Sequence, residues 1–182
     1  MTKTNRTLPG DMPIEQEIKQ MIRVNHAGEF GAKRIYEGQL AALKNSESYP
    51  TIKHMLEQEL EHLAKFEQLA VERRVRPTAL MPIWNVAGFA LGYITGKLGE
   101  RAAMACTVAV EEVIDEHYRE QLEKLPDSEP ELKKDIEKFR AEELEHRDIG
   151  LENEAQKTPF YPIITTAVTL GSKAAIWLSK RV

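Results

Sequence analysis

One arrangement of residues occurs twice along this chain, and it constrains the fold more than any other feature. Glu29 is followed about thirty residues later by Glu59-Leu-Glu-His62, and Glu111 is followed in the same way by Glu143-Leu-Glu-His146. A helix turns by about 100° per residue, so side chains three apart leave from one face. Glu59 and His62 therefore share a face, as do Glu143 and His146. Any Glu-rich helix produces one Glu-x-x-His by chance, and a single copy reads as a solvated face. Two copies, each behind another interior glutamate, read as ligands.

The halves match beyond these six residues. Glu29 and Glu111 are each followed seven positions later by Tyr36 and Tyr118, and ten positions later by Gln39-Leu40 and Gln121-Leu122. An offset of 82 to 84 carries one half onto the other. The physical reading is two helical hairpins packed about a pseudo-twofold axis, each giving half of one metal site. Four inward carboxylates and two imidazoles are the set expected for a di-iron or di-manganese centre in a ferritin-like four-helix bundle. The predicted ligands are Glu29, Glu59, His62, Glu111, Glu143 and His146.

At 182 residues the chain is long enough for one domain with a sizeable core. It reads as a single ferritin-like domain over 1–182, with residues 1–12 flexible. The net charge is only −4 and no basic stripe is present, which argues against nucleic acid as a partner. The single Cys106 cannot form an internal disulfide, and in Ala-Met-Ala-Cys-Thr-Val-Ala-Val it reads as a small buried hydrophobe in a reducing compartment. Met1 to Gly10 lacks the apolar core of a signal peptide.

Punctuation places the helices. The first runs from about Pro13 to Lys44, the second from about Thr51 to Arg74, closed by Val75-Arg76-Pro77 because the residue before proline leaves helical geometry. The third runs from near Glu100 to Leu125, and the fourth from Pro130 to about Gln156. No alternating-β segment is present, so the class is all-α.

Two further segments are apolar. Residues 77–96 hold no charge and approach the length of a membrane span. A single crossing there would separate the half-sites across the bilayer, so the segment is predicted to be a buried cross-helix or an interfacial helix, for which Gly88, Gly92 and Gly96 are suited. Residues 158–172 are also uncharged and lead into a basic amphipathic end with Lys173, Trp177, Lys180 and Arg181, fit for a membrane surface with anionic headgroups.

Several stretches together carry a specific resemblance: Arg23-Val-Asn-His-Ala-Gly-Glu-Phe-Gly-Ala-Lys-Arg-Ile-Tyr36, Arg74-Val-Arg-Pro-Thr78 with Pro82-Ile-Trp-Asn85, Ala105-Cys-Thr-Val-Ala-Val-Glu-Glu112, and Glu142-Glu-Leu-Glu-His-Arg-Asp-Ile-Gly150. Over nearly its whole length the chain resembles the demethoxyubiquinone hydroxylase family. The resemblance implies a di-iron, O2-dependent monooxygenase of ubiquinone biosynthesis that hydroxylates the ring of a polyprenylated methoxy-benzoquinol. It implies a peripheral protein of the inner membrane, on the cytoplasmic side or, in a eukaryote, the mitochondrial matrix side. All six family iron ligands fall on the six residues above. Partner proteins of the same pathway and self-association join the expectations. NADH or the quinol itself can supply the electrons, and no strand-turn-helix dinucleotide fingerprint is present.

The chemistry stands beside that resemblance. Four buried carboxylates repel one another and cost several kcal/mol each in desolvation unless cations neutralise them. Oxygen donors with one imidazole per iron leave coordination positions open for dioxygen. Gln58 and Glu142, each just before a ligand glutamate, are placed to anchor the opposite hairpin's imidazole. Tyr36 and Tyr118 have two open roles, passing electrons between quinol and iron or filling the core. His26, His54 and His117 are assigned to structure or solvent. Similar ligands also serve a ferroxidase and a quinol oxidase that returns the ring unchanged, and the apolar groove alone would suit a lipid carrier.

Overall fold

The computed structural model describes residues 12–182, and the expectations for Met1 to Gly10 and for a flexible 1–12 segment lie, Met12 apart, outside the described residues. The architecture is all-helical: α1 (Ile14–Ala42), α2 (Tyr49–Glu72), α3 (Met81–Lys97), α4 (Glu100–Lys124), α5 (Pro130–Glu152) and α6 (Tyr161–Ser179), with a 3-10 turn at Ala155–Lys157. Helices α2, α3, α5 and α6 each carry a proline in the first turn, where its missing N–H costs nothing and its fixed φ suits the helix.

The all-α bundle is as expected, and the departures lie at helix ends. Helix α2 stops at Glu72 rather than Arg74, five residues before Pro77. Arg74 takes a left-handed φ of 52°, and the Val75 N–H donates back to the Ala70 carbonyl at 2.8 Å. That six-to-one bond is a Schellman closure built without glycine. Helix α5 ends at Glu152 rather than Gln156, because Glu154 is left-handed at φ 60° and the chain then tightens into the 3-10 turn. Helix α1 ends at Ala42 instead of Lys44.

The internal repeat proves larger than a hairpin. Helix α3 returns to pack along α1, and α6 returns to pack along α4, so each half is a hairpin plus one apolar helix. Glycines permit the α1–α3 approach. A Cβ on Gly92 would stand 1.8 Å from the Ile35 carbonyl oxygen, and one on Gly38 would stand 2.2 Å from that of Phe89. Two apolar blocks flank the bundle centre. One gathers Ile22, Phe66, Ile136 and Phe139, and the other Tyr36, Ile52, Met55 and Met104. Cys106 is fully buried, as its apolar neighbours indicated.

Helices α3 and α6 bury little of themselves. Val86, Ile94, Ile163 and Leu170 are all more than half exposed, although no helix among the described residues is long and apolar enough to cross a membrane. Residues 77–96 are therefore not a buried cross-helix; only their glycine face is covered.

Candidate metal centre

Between the two apolar blocks, α1 supplies Glu29, α2 supplies Glu59 and His62, α4 supplies Glu111, and α5 supplies Glu143 and His146. All six are at most 1 % exposed. Ligand atoms of Glu29, Glu59, His62 and Glu143 lie within 4.8 Å of one another, and those of Glu59, Glu111, Glu143 and His146 do likewise. Glu59 and Glu143 are the residues common to both groups, whereas each imidazole belongs to one.

Both imidazoles turn Nδ1 inward. His62 Nδ1 is 3.2 Å from Glu143 Oε1 and 3.5 Å from Glu29 Oε2. His146 Nδ1 is 3.3 Å from Glu59 Oε1 and 3.3 Å from Glu143 Oε2. The outer nitrogens are tethered across the pseudo-twofold: His62 Nε2 to Glu142 at 2.8 Å and His146 Nε2 to Gln58 at 2.9 Å. An anchored outer nitrogen fixes ring orientation and leaves the inner one for an ion.

The tyrosines cross the axis in the same way. Tyr36 donates to Glu111 Oε1 at 2.8 Å, and Tyr118 donates to Glu29. Burial, reinforced by the adjacent carboxylates, pushes both phenols well above their ordinary range, so each remains a donor. Both lie in the core, and each hydroxyl donates to one buried carboxylate.

Electrostatics and hydrogen bonding test whether ions fit. Burial first, and Glu143 second, pushes Glu59 and Glu111 far above the usual carboxylate range. Both Glu59 oxygens, one oxygen each of Glu29, Glu111 and Glu143, and His146 Nδ1 are buried with no hydrogen-bond partner. So many orphaned acceptors at one point cost several kcal/mol unless something positive sits among them. Two divalent cations match four carboxylates, and hard oxygens with one imidazole apiece suit iron or manganese.

A cavity of about 300 Å³ opens beside the centre, between α1, α3, α4 and α6. Its wall is mostly apolar, with Ile35, Leu91, Val110 and Val168, and it reaches Glu29 and Tyr118. Glu111 and Tyr36, their pseudo-equivalents, do not line it. His117, assigned above to structure or solvent, lines this cavity. The sequence did carry a trace of its setting, the glutamine repeated ten residues after each first glutamate. Gln121 bonds His117 and Asn25, whereas Gln39 bonds the Ala103 carbonyl. His26 is buried on α1 outside the ligand groups, and His54 is exposed.

Residues 16–179 match the family model described as ubiquinone biosynthesis protein COQ7. The chain belongs to this family. Among family relatives, the NADPH-dependent 3-demethoxyubiquinone 3-hydroxylase of Dictyostelium discoideum is 57% identical over 170 residues, covering 92% of this chain and 78% of the relative. The 3-demethoxyubiquinol 3-hydroxylase of Rhodospirillum rubrum is 53% identical over 176 residues, covering 96% and 83%. The 5-demethoxyubiquinone hydroxylase of Saccharomyces cerevisiae is 37% identical, covering 91% and 78%. The family resemblance drawn from the motifs is thereby established over nearly the whole chain.

Proposed function

We propose that this chain is a demethoxyubiquinol hydroxylase that adds a hydroxyl group to the quinol ring at a carboxylate-bridged di-iron centre. One observation carries the reading: a mostly apolar cavity is lined in part by Glu29, one of four buried glutamates whose orphaned oxygens call for two cations. The names of the relatives add the substrate class and, for the Dictyostelium discoideum relative among others, NADPH as reductant, beside the NADH and the quinol itself named above.

In this reading Glu29, Glu59, His62 and Glu143 would hold one ion and Glu59, Glu111, Glu143 and His146 the other. Iron held there would supply the activation of dioxygen that ring hydroxylation needs. The protein's share is placement and exclusion of water. The cavity wall holds the flat ring beside Glu29, Tyr118 keeps that carboxylate's free lone pairs oriented, and the prenyl tail runs out between α3 and α6. The exposed apolar faces of those helices rest on the inner-membrane surface, cytoplasmic or matrix side, where such a tail resides.

Glu111 and Glu112 provide the test, because neighbours on a helix diverge and only Glu111 is buried. After anaerobic reconstitution, wild type and Glu112→Ala should hold two irons per chain and convert a short-tailed demethoxyubiquinol, while Glu111→Ala loses stoichiometric iron. Equal iron loss in both variants would refute the assignment.

A further inference from the structure

The polar groups of the cavity wall are nearly all committed elsewhere. Tyr118 donates to Glu29, Ser179 accepts from the Trp84 indole at 3.1 Å, and both amide atoms of Asn25 are paired with Gln121. His117 differs. Gln121 Nε2 lies 2.7 Å from His117 Nε2 while also donating to Asn25 Oδ1 at 2.7 Å, and Gln121 Oε1 accepts from Asn25 at 2.9 Å. With the Gln121 amide oriented by Asn25, its N–H donates to Nε2, which leaves the imidazole proton on Nδ1. That N–H has no hydrogen-bond partner among the described residues.

The internal repeat shows that packing alone does not ask for an imidazole here. An offset of 82 carries His117 back to Ile35, which lines the same cavity from α1 and packs there as an aliphatic side chain. Only the α4 copy carries a histidine, and only that copy has its glutamine tied to it. Burial, helped by Lys180 and Lys124, pushes the imidazole down to about 4, so it stays neutral near pH 7. A neutral ring, held at one nitrogen and free at the other, is a directional donor in the wall between this mostly apolar cavity and a smaller polar cleft with Glu17, Glu120, Lys124 and Lys180.

We propose that His117 is a substrate-positioning residue: its Nδ1–H donates to a ring oxygen of the bound quinol, with Gln121 and Asn25 fixing the orientation of the imidazole. The hydrogen bond selects which edge of the ring faces Glu29 and the metal centre. This rests on the reading of the cavity as the quinol site.

The test is equilibrium binding to the full-length, iron-loaded chain of two ligands, a decyl-substituted demethoxy-benzoquinone and decylbenzene, which lacks ring oxygens. His117→Phe keeps ring volume and removes both nitrogens. It should weaken the quinone about 10-fold, the size of one hydrogen bond, and leave decylbenzene within about 2-fold. His117→Gln, which restores a donor, should recover most of the quinone affinity. Gln121→Leu, which frees the imidazole, should also weaken only the quinone, and it decides the matter should His117→Phe fail to fold. Equal losses for both ligands, or no loss for the quinone, would overturn the proposal. Failure of the wild type to bind the quinone at all would instead remove the substrate reading, and this inference with it.

Discussion

At the residue scale the centre is held together by exchange between halves. Glu142 of the second hairpin tethers His62 of the first, Gln58 of the first tethers His146 of the second, and Tyr36 and Tyr118 cross over to Glu111 and Glu29. Each imidazole is therefore aimed by the opposite half, and the site is complete only when both hairpins dock. Removing such a tether leaves the ligand in place but lets its ring turn. Glu142→Ala should reduce iron affinity by about 10- to 100-fold. Glu145→Ala, one turn of sequence away on the exposed face, should leave it unchanged in the same chelator-competition titration. That these six residues would come together, with Gln58 and Glu142 bonded to the imidazoles, was legible in the sequence because spacing along a helix fixes the face. His117 was not, because its role depends on where α6 and α3 leave a cavity, and periodicity on α4 alone is silent about that.

Among the elements, α1 and α3 make the closest pairing. The two backbones approach so nearly at Gly92 and Gly38 that no side chain fits between them. Gly92→Ala places a methyl group against the Ile35 carbonyl and should destabilise the protein by about 1–3 kcal/mol, the usual penalty for overpacking. Gly171→Ala on α6, with nothing within 4 Å of the added carbon, should be neutral or raise stability by up to about 1 kcal/mol through helix propensity. Urea unfolding of both variants compares them directly. From sequence alone the glycines of residues 77–96 suited a buried or an interfacial helix, and the helix they pack against could not be read there. Glycine spacing marks a smooth face without saying which helix covers it. The ends of α2 and α5 were misjudged for a similar reason: Arg74 and Glu154 adopt left-handed φ, which sequence reading reserves for glycine and asparagine.

Over the whole molecule, function follows from placing two kinds of surface back to back. The bundle interior holds the buried carboxylates proposed to take cations, and α3 with α6 exposes the apolar side chains proposed to meet a lipid surface, with the cavity between the two. Ile83 and Val86 lie on the exposed face of α3, whereas Trp84 is half-buried and bonded to Ser179. Replacing Ile83 and Val86 with Asp should therefore abolish flotation with vesicles of anionic lipid while iron content stays at the wild-type level. A loss of iron alongside flotation would mean that the face is structural. The central claim is that an oxygen atom from dioxygen enters the quinol ring beside Glu29. Mass spectrometry of the product formed by reduced, iron-loaded enzyme from a short-tailed demethoxyubiquinol under 18O2 tests it most directly. One labelled oxygen on the ring is the expected result, and oxygen uptake that yields only unlabelled, unhydroxylated quinone would contradict it.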